Sequence, residues 1–240
     1  MKRFSIVCIV AFEAALLIAG AGCQNQCAAR SAKWESMFDG KTLNGWKRLG
    51  GEGLFYVENG AIVAKAIPDT PSTFLCTEKD YCDFILEYDA IIDKELNSGV
   101  QIRSHVHEKD ITTPYLSGKL KKQTMTFKAG QIWGYQIEID PTERAWSAGL
   151  YEEAGRGWLQ HLADKPAAQK AFKNGQWNHF RVEAVGDHIK TWINGVPAVD
   201  AHDSLTACGF IGLQLHYIYQ DNQKNKTVRW RNIRIKNLCK

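Results

Sequence analysis

The chain is written in short runs that alternate polar and apolar residues, with turn residues dividing one run from the next. A β-strand repeats every two residues, so each run has one face for a core and one for water. Phe84, Leu86, Tyr88 and Ala90 alternate with Ile85, Glu87, Asp89 and Ile91. Phe180, Val182 and Ala184 alternate with His179, Arg181 and Glu183. Residues 54–57 and 61–64 flank Glu58-Asn59-Gly60, a hairpin signal, and Gly186-Asp187 and Asn194-Gly195 mark two further turns. Residues 210–217 and 228–235 read as the closing strands. No stretch sustains a helical period; residues 167–172, after Pro166, allow one short helix. Residues 107–128 lack a clear period and read as an excursion from the sheet, the kind of segment that forms walls or lids. The pattern predicts an all-β sandwich or jelly roll.

A single sandwich fits the length of 240 residues, of which 45% are hydrophobic and 23% charged, an ordinary globular balance. The first residues form a targeting signal. Lys2 and Arg3 precede an apolar run to Ile18, interrupted by Glu13, and small residues lead to Cys23. This resembles a bacterial lipoprotein signal, in which Cys23 would be lipidated. Ala19-Gly20-Ala21 also fits a cut by ordinary signal peptidase. The apolar run is too short for a comfortable membrane span. The expected organisation is a signal over 1–22, a tether over 23–33 and one domain over 34–240. The protein would be exported to the periplasm or cell surface and touch the membrane only through lipid. Loss of Lys2, Arg3 and Glu13 leaves 28 basic against 25 acidic side chains, a net +3. That charge is too weak and dispersed for a nucleic-acid surface, and Lys119, Lys121 and Lys122 read as a solvated loop.

Three runs place chemically capable groups on one strand face each. The sets are Gln101, Arg103 and His105; Gln136, Glu138 and Asp140; and Gln214 and His216. If these strands share a sheet, the sets form one wet face of carbohydrate size. Cysteine spacing suggests pairing Cys76 with Cys82 and Cys208 with Cys239, bridges an exported compartment permits. No CxxC pair exists, so a zinc site is weakly supported.

An ordered series of phrases runs through the chain. It begins with Phe38-Asp39-Gly40-Lys41, Leu43-Asn44-Gly45-Trp46, Tyr81-Cys82-Asp83-Phe84 and Asn97-Ser98-Gly99-Val100 with Arg103. It continues with Gly134-Tyr135-Gln136-Ile137-Glu138-Ile139-Asp140, Gly149-Leu150-Tyr151 and Arg156-Gly157-Trp158-Leu159. It ends with Trp177-Asn178, Asn194-Gly195, Gly209-Phe210-Ile211-Gly212-Leu213-Gln214 and Arg231-Asn232-Ile233-Arg234. From Trp34 to the C-terminus the chain resembles the 3-keto-disaccharide hydrolase (3-keto-glycoside lyase/hydrolase) domain family. The resemblance implies a concanavalin A-like jelly roll and action on sugars whose C3 hydroxyl is already a ketone. A separate nicotinamide-dependent sugar oxidoreductase would make that ketone.

Such a substrate asks for one base at C2, one donor for the enolate oxygen and one acid for the leaving group. His216 or Glu138 could be the base, Arg103 the enolate donor, and Asp140 a group orienting Arg103 or a histidine. The structural alternatives are an Arg103 ion pair with Glu138 or Asp140, and a His216 satisfied by a backbone carbonyl. Gln101, His105, Gln136 and Gln214 are expected to meet sugar hydroxyls. Trp146, Tyr151 and Trp158, in a glycine-rich setting, are expected to stack on sugar faces. The cleavage step itself needs no cofactor, although His105, His107 and a nearby acid could hold a divalent metal. Glu138 and Asp140, two residues apart, lie about 6.6–6.8 Å apart along a strand. A conventional β-glucanase is disfavoured, because its two carboxylates four residues apart on one strand are missing. A lectin-like binder is the leading rival.

Overall fold

The computed structural model describes residues 33–238. Asn59-Gly60 and Asn194-Gly195 take positive φ at both residues, the turn that matches the twist of adjoining strands. Among the described residues seventeen strands fold into two sheets. The first runs β15 (Val196–His202), β14 (His188–Ile193), β13 (Asn178–Val185), β6 (Phe84–Ile92), β17 (Thr227–Asn237), β4 (Ala61–Lys65) and β3 (Leu54–Glu58). A short β1 (Trp34–Ser36) also pairs with β17. The second runs β2 (Trp46–Gly50), β5 (Thr73–Tyr81), β16 (Gly209–Leu215), β7 (Ser98–Val106), β10 (Ile132–Ile139), β11 (Leu150–Glu153), β12 (Gly157–Gln160), β8 (Ile111–Leu116) and β9 (Lys122–Phe127). One helix, α1 (Pro166–Ala171), lies where the short helix was expected.

The apolar halves of the alternating runs meet between the sheets. Leu86, Tyr88, Phe180, Val182 and Trp230 from the first face Val100, Ile102, Ile137, Ile139, Ile211 and Leu213 from the second. Full burial of each aliphatic side chain is worth roughly 1.5–3 kcal/mol, so this layer carries most of the folding free energy.

Two expectations change. Residues 107–128 are not an excursion without strands: β8 and β9 form a hairpin that extends the second sheet, joined to β12 through Gly157 and Leu116. Its Lys122–Phe127 strand is exposed at almost every residue, so neither face is selected for apolar side chains and no alternation marks it. Lys119, Lys121 and Lys122 are solvent-exposed at its tip. Both proposed cysteine pairings are also replaced. Cys82, just before β6, bonds Cys208, just before β16, and ties the two sheets together at one end. Cys76 is a buried free thiol whose pKa burial pushes up to about 12. Cys23 and the signal and tether segments through residue 32, as well as Cys239, lie outside the described residues.

Candidate active site

One backbone irregularity decides which groups share the outer face of the second sheet. Along β7 the pairing with β10 shifts, so that Arg103 and Ser104 together oppose Gly134. Arg103 takes the left-handed conformation, φ 47°. Such a bulge reverses the alternation beyond it. Gln101 stays on the outer face and Ser104, not Arg103, joins it, donating from Oγ to Gln101 Oε1 at 3.0 Å. Gly134 is required here, since a Cβ on it would sit 2.4 Å from Ser104 Oγ.

Arg103 is therefore fully buried at the end of the sandwich. It donates to the Cys82 and Gly186 carbonyls at 2.7 and 2.6 Å and pairs with Asp83 at 3.1 Å. It is a structural ion pair, with Asp83 rather than with Glu138 or Asp140. His105 likewise leaves the expected face: its Nε2 lies 2.8 Å from the Cys208 carbonyl oxygen. His107 Nε2 meets the Ala154 carbonyl at 2.8 Å, and both rings pack on Trp133. Among the described residues no three His, Cys, Asp or Glu side chains converge as a metal would need.

Register assembles the remaining groups. Cys76, Gly212, Gln101, Gln136 and Tyr151 lie side by side across five strands. Glu138 lies opposite Gly99, and Glu153 opposite Gly134. Gly99 leaves the floor low: a Cβ there would meet Gln136 Cγ at 2.5 Å. Gln101 Nε2 donates to Gln136 Oε1 at 2.6 Å, and Gln136 Nε2 to Glu138 Oε2 at 2.9 Å. Glu138 Oε1 accepts from Asn97 at 2.7 Å and from Arg144 at 3.3 Å. Gln214 Nε2 reaches Glu153 Oε2 at 3.3 Å, while the buried Gln214 Oε1 has no protein donor.

The electrostatics single out two carboxyls. Burial pushes Glu138 up to about 7, and the Asp140 charge adds to it against the donors Asn97, Arg144 and Gln136. Burial likewise pushes Glu153 to about 7, with the Glu138 charge adding to it and only Gln214 opposing. Asp140 has another task. Its carboxylate accepts from Thr142, from the Trp146 amide and from Arg144 Nε at 2.7 Å, so it orients Arg144. That corrects its expected partner, Arg103.

Aromatic groups form the walls; of the rings expected there, Tyr151 is in place and Trp146 and Trp158 are not. Trp146 and Trp158 are 6% and 5% exposed, packed edge-to-face with each other. They carry the Arg144 guanidinium at 4.7 and 5.2 Å from their ring centroids, a cation–π floor rather than a sugar platform. Half-buried Tyr151 holds the hydroxyl of Tyr115, from the β8–β9 hairpin, at 2.8 Å. Tyr217 and Tyr219 are 47% and 64% exposed and pack beside His216. His216 Nδ1 lies 2.7 Å from the Tyr217 carbonyl, so that nitrogen carries the proton and Nε2 is left as an acceptor. Burial lowers its pKa, against that hydrogen bond, and so favours the neutral ring. The carbonyl-satisfied reading of His216 thus describes one of its nitrogens.

Sequence reasoning missed Glu153, Arg144 and Tyr115. Tyr151 and Glu153 do alternate, but over a four-residue strand whose face is set by pairing with Gly134 and Gln136. Arg144 stands four residues after Asp140, a spacing visible in the chain and unused.

The comparisons fit this architecture. A provisionally named glycosyl hydrolase from Parabacteroides distasonis ATCC 8503 superposes with a TM-score of 0.55 at 20% identity, over 86% of this chain and 94% of that one. A Bacillus subtilis protein of unknown function with a galectin-like fold gives 0.54 at 11% identity, over 85% and 98%. The laminarinase of Flavobacterium sp. UMI-01 gives 0.52 at 12% identity, over 85% and 99%. At these identities they establish the galectin-like and concanavalin-like sandwich. No curated protein matches the sequence. The 3-keto-alpha-glucoside-1,2-lyase-like domain matches residues 33–236, most of the chain, and the protein belongs to that family.

Proposed function

We propose that this protein cleaves the glycosidic bond of 3-keto-glycosides by removing the C2 proton and expelling the C1 substituent. The observation that carries the reading is the pair Glu138 and Glu153, both pushed up to about 7 on a sheet face lined with amides, the trough of this reading. Around neutrality two coupled carboxyls of this kind hold about one proton between them, and the elimination needs one base and one acid. Glu138 is the base, because three donors favour its anion. Arg144, at the Asp140 end of β10, receives the developing C3 oxyanion beside it. Glu153, toward the Gly134 end, protonates the leaving oxygen. Arg144, Glu138 and Glu153 come in that order along β10, and the reading sets them against C3, C2 and C1 of the sugar.

The electrons balance simply. The C2–H pair moves into the enolate, and re-forming the C3 ketone makes the C1–C2 double bond as the C1–O bond breaks. The products are an unsaturated 3-keto sugar and the free alcohol. Water adding across that double bond would complete a net hydrolysis. Gln214 Oε1, buried and without a donor, suits a substrate hydroxyl, and Gln101 and Gln136 fix the trough floor. His216 Nε2, Tyr151 and Tyr217 contact the substrate from the rim.

The reading extends to an exported protein anchored through Cys23 and supplied by a nicotinamide-dependent sugar 3-oxidoreductase. Exposed Tyr217 and Tyr219 favour one rival, a non-catalytic sugar binder. Incubation with a 3-keto-glucoside and with its parent glucoside separates the two. Cleavage of the keto substrate alone, with solvent deuterium appearing at C2 of recovered substrate or hydrated product, is expected. Saturable binding without turnover of either compound would make the protein a lectin.

A further inference from the structure

The outer face of the first sheet carries a groove of about 490 Å³, on the far side of the sandwich from the trough. Its lining includes Trp34, Glu35, Asp89, His179, Asn232 and Arg234. A second bulge makes it. The register of β17 against β6 shifts between Arg231 and Arg234, where β17 exchanges β4 for β1 as its other neighbour. Asn232 sits in the bulge in the left-handed conformation, φ 53°. Its Nδ2 donates to Asp89 Oδ2 at 2.7 Å, and Asp89 Oδ1 holds His179 Nδ1 at 2.9 Å. Asn232 Oδ1, an acceptor, and the polar His179 Nε2 are left without protein partners among the described residues. Trp34, 38% exposed, stands at the edge with the Arg234 guanidinium 4.6 Å from its ring centroid.

We propose that this groove is a second carbohydrate site, taking a neutral oligosaccharide. Its volume lies within the range of small-molecule sites, about 300–1,000 Å³. Its arginines are paired, Arg234 with Glu87 at 2.6 Å and Arg231 with Asp89 at 3.5 Å, and Glu35 stands nearby, so neither guanidinium is free to select an anion. A fixed acceptor, a carboxylate-held histidine and an exposed indole instead suit a ligand of many hydroxyls with an apolar ring face. A ladder of cross-strand ion pairs would account for Asp89, His179 and Arg231 alone. It does not account for the exposed indole at the edge or for the amide turned outward by the bulge. The site would hold a glycan chain while the trough acts on its own substrate, and it stands independently of the lyase reading.

The test is titration of the full-length protein with cellohexaose, laminarihexaose and maltohexaose, by calorimetry and by indole fluorescence. The variants are Trp34→Ala and Asn232→Gly; glycine keeps the left-handed backbone and removes only the amide. Saturable binding of at least one hexasaccharide is expected, weakened about tenfold in each variant. Turnover of a small 3-keto-glucoside and the circular dichroism spectrum should stay at wild-type values. Unchanged affinity in both variants, or no saturable binding of any of the three sugars to the wild-type protein, would overturn the proposal.

Discussion

The two outer faces of the sandwich carry buried carboxyls in opposite states. On the first sheet, burial would raise Glu87, but hydrogen bonds and charge from Arg234 and Arg181 outweigh it and hold the carboxyl below its ordinary value. On the second, Glu138 and Glu153 are surrounded mostly by amides, and burial wins. Glu138 has a single arginine at 3.3 Å, and that arginine is shared with Asp140 at 2.7 Å. Similar strands thus give a stabilising anion on one face and a proton-exchanging pair on the other, with burial weighing more heavily on the second. The difference lies in how deeply the acid is desolvated and in whether guanidinium groups or carboxamides surround it.

The sharpest way to break this contrast is Glu138→Gln, expected to lower kcat/KM on a 3-keto-glucoside by about 10²–10⁴-fold, the usual worth of a general base. Wild-type activity in that variant would place the chemistry elsewhere. Arg103→Met should destabilise the fold by about 3–5 kcal/mol, because it removes the cation of a buried ion pair and leaves the Cys82 and Gly186 carbonyls without its donors. Denaturant unfolding checks it. Glu87→Gln should cost a smaller ~1.5–3 kcal/mol at pH 7, from charge-assisted hydrogen bonds lost to Arg181 and Arg234, with turnover unchanged.

Stability against pH should differ in sign between the faces. The folded-state value of Glu138 is raised, so its contribution is fully present below the ordinary carboxylate range and is lost as pH rises through about 7. Glu138→Gln should therefore flatten the loss of stability between pH 5 and pH 8. The lowered Glu87 contributes above the ordinary range and loses that contribution only on acidification below it. Smallest in effect, Tyr217→Ala should raise KM a few-fold, on the order of one stacking contact, and leave kcat unchanged.

How far the chain could be read follows from the range of each signal. The Asn-Gly hairpins and the long strands of Phe84–Ile92 and Asn178–Val185 were legible, because turn chemistry and period two are local. Glu138, Gln101, Gln136 and Gln214 were legible for the same reason. Arg103 was misplaced because a bulge shows only against its partner strands, where Gly134 and Gly209 leave room for it. The Cys82–Cys208 bridge spans 126 residues, and its ends meet only once the two sheets stack. Trp146 and Trp158 stood in a glycine-rich stretch that suggested a surface, yet it folds under Arg144.

The most direct measurement is the titration of side-chain carboxyl carbons by NMR, with Glu138, Glu153 and Glu87 assigned through their Gln variants. The account predicts coupled transitions near 7 for Glu138 and Glu153, and a transition below the ordinary carboxylate range for Glu87. Ordinary transitions near 4.5 for both trough carboxyls would contradict it, because neither would then hold a proton at neutral pH.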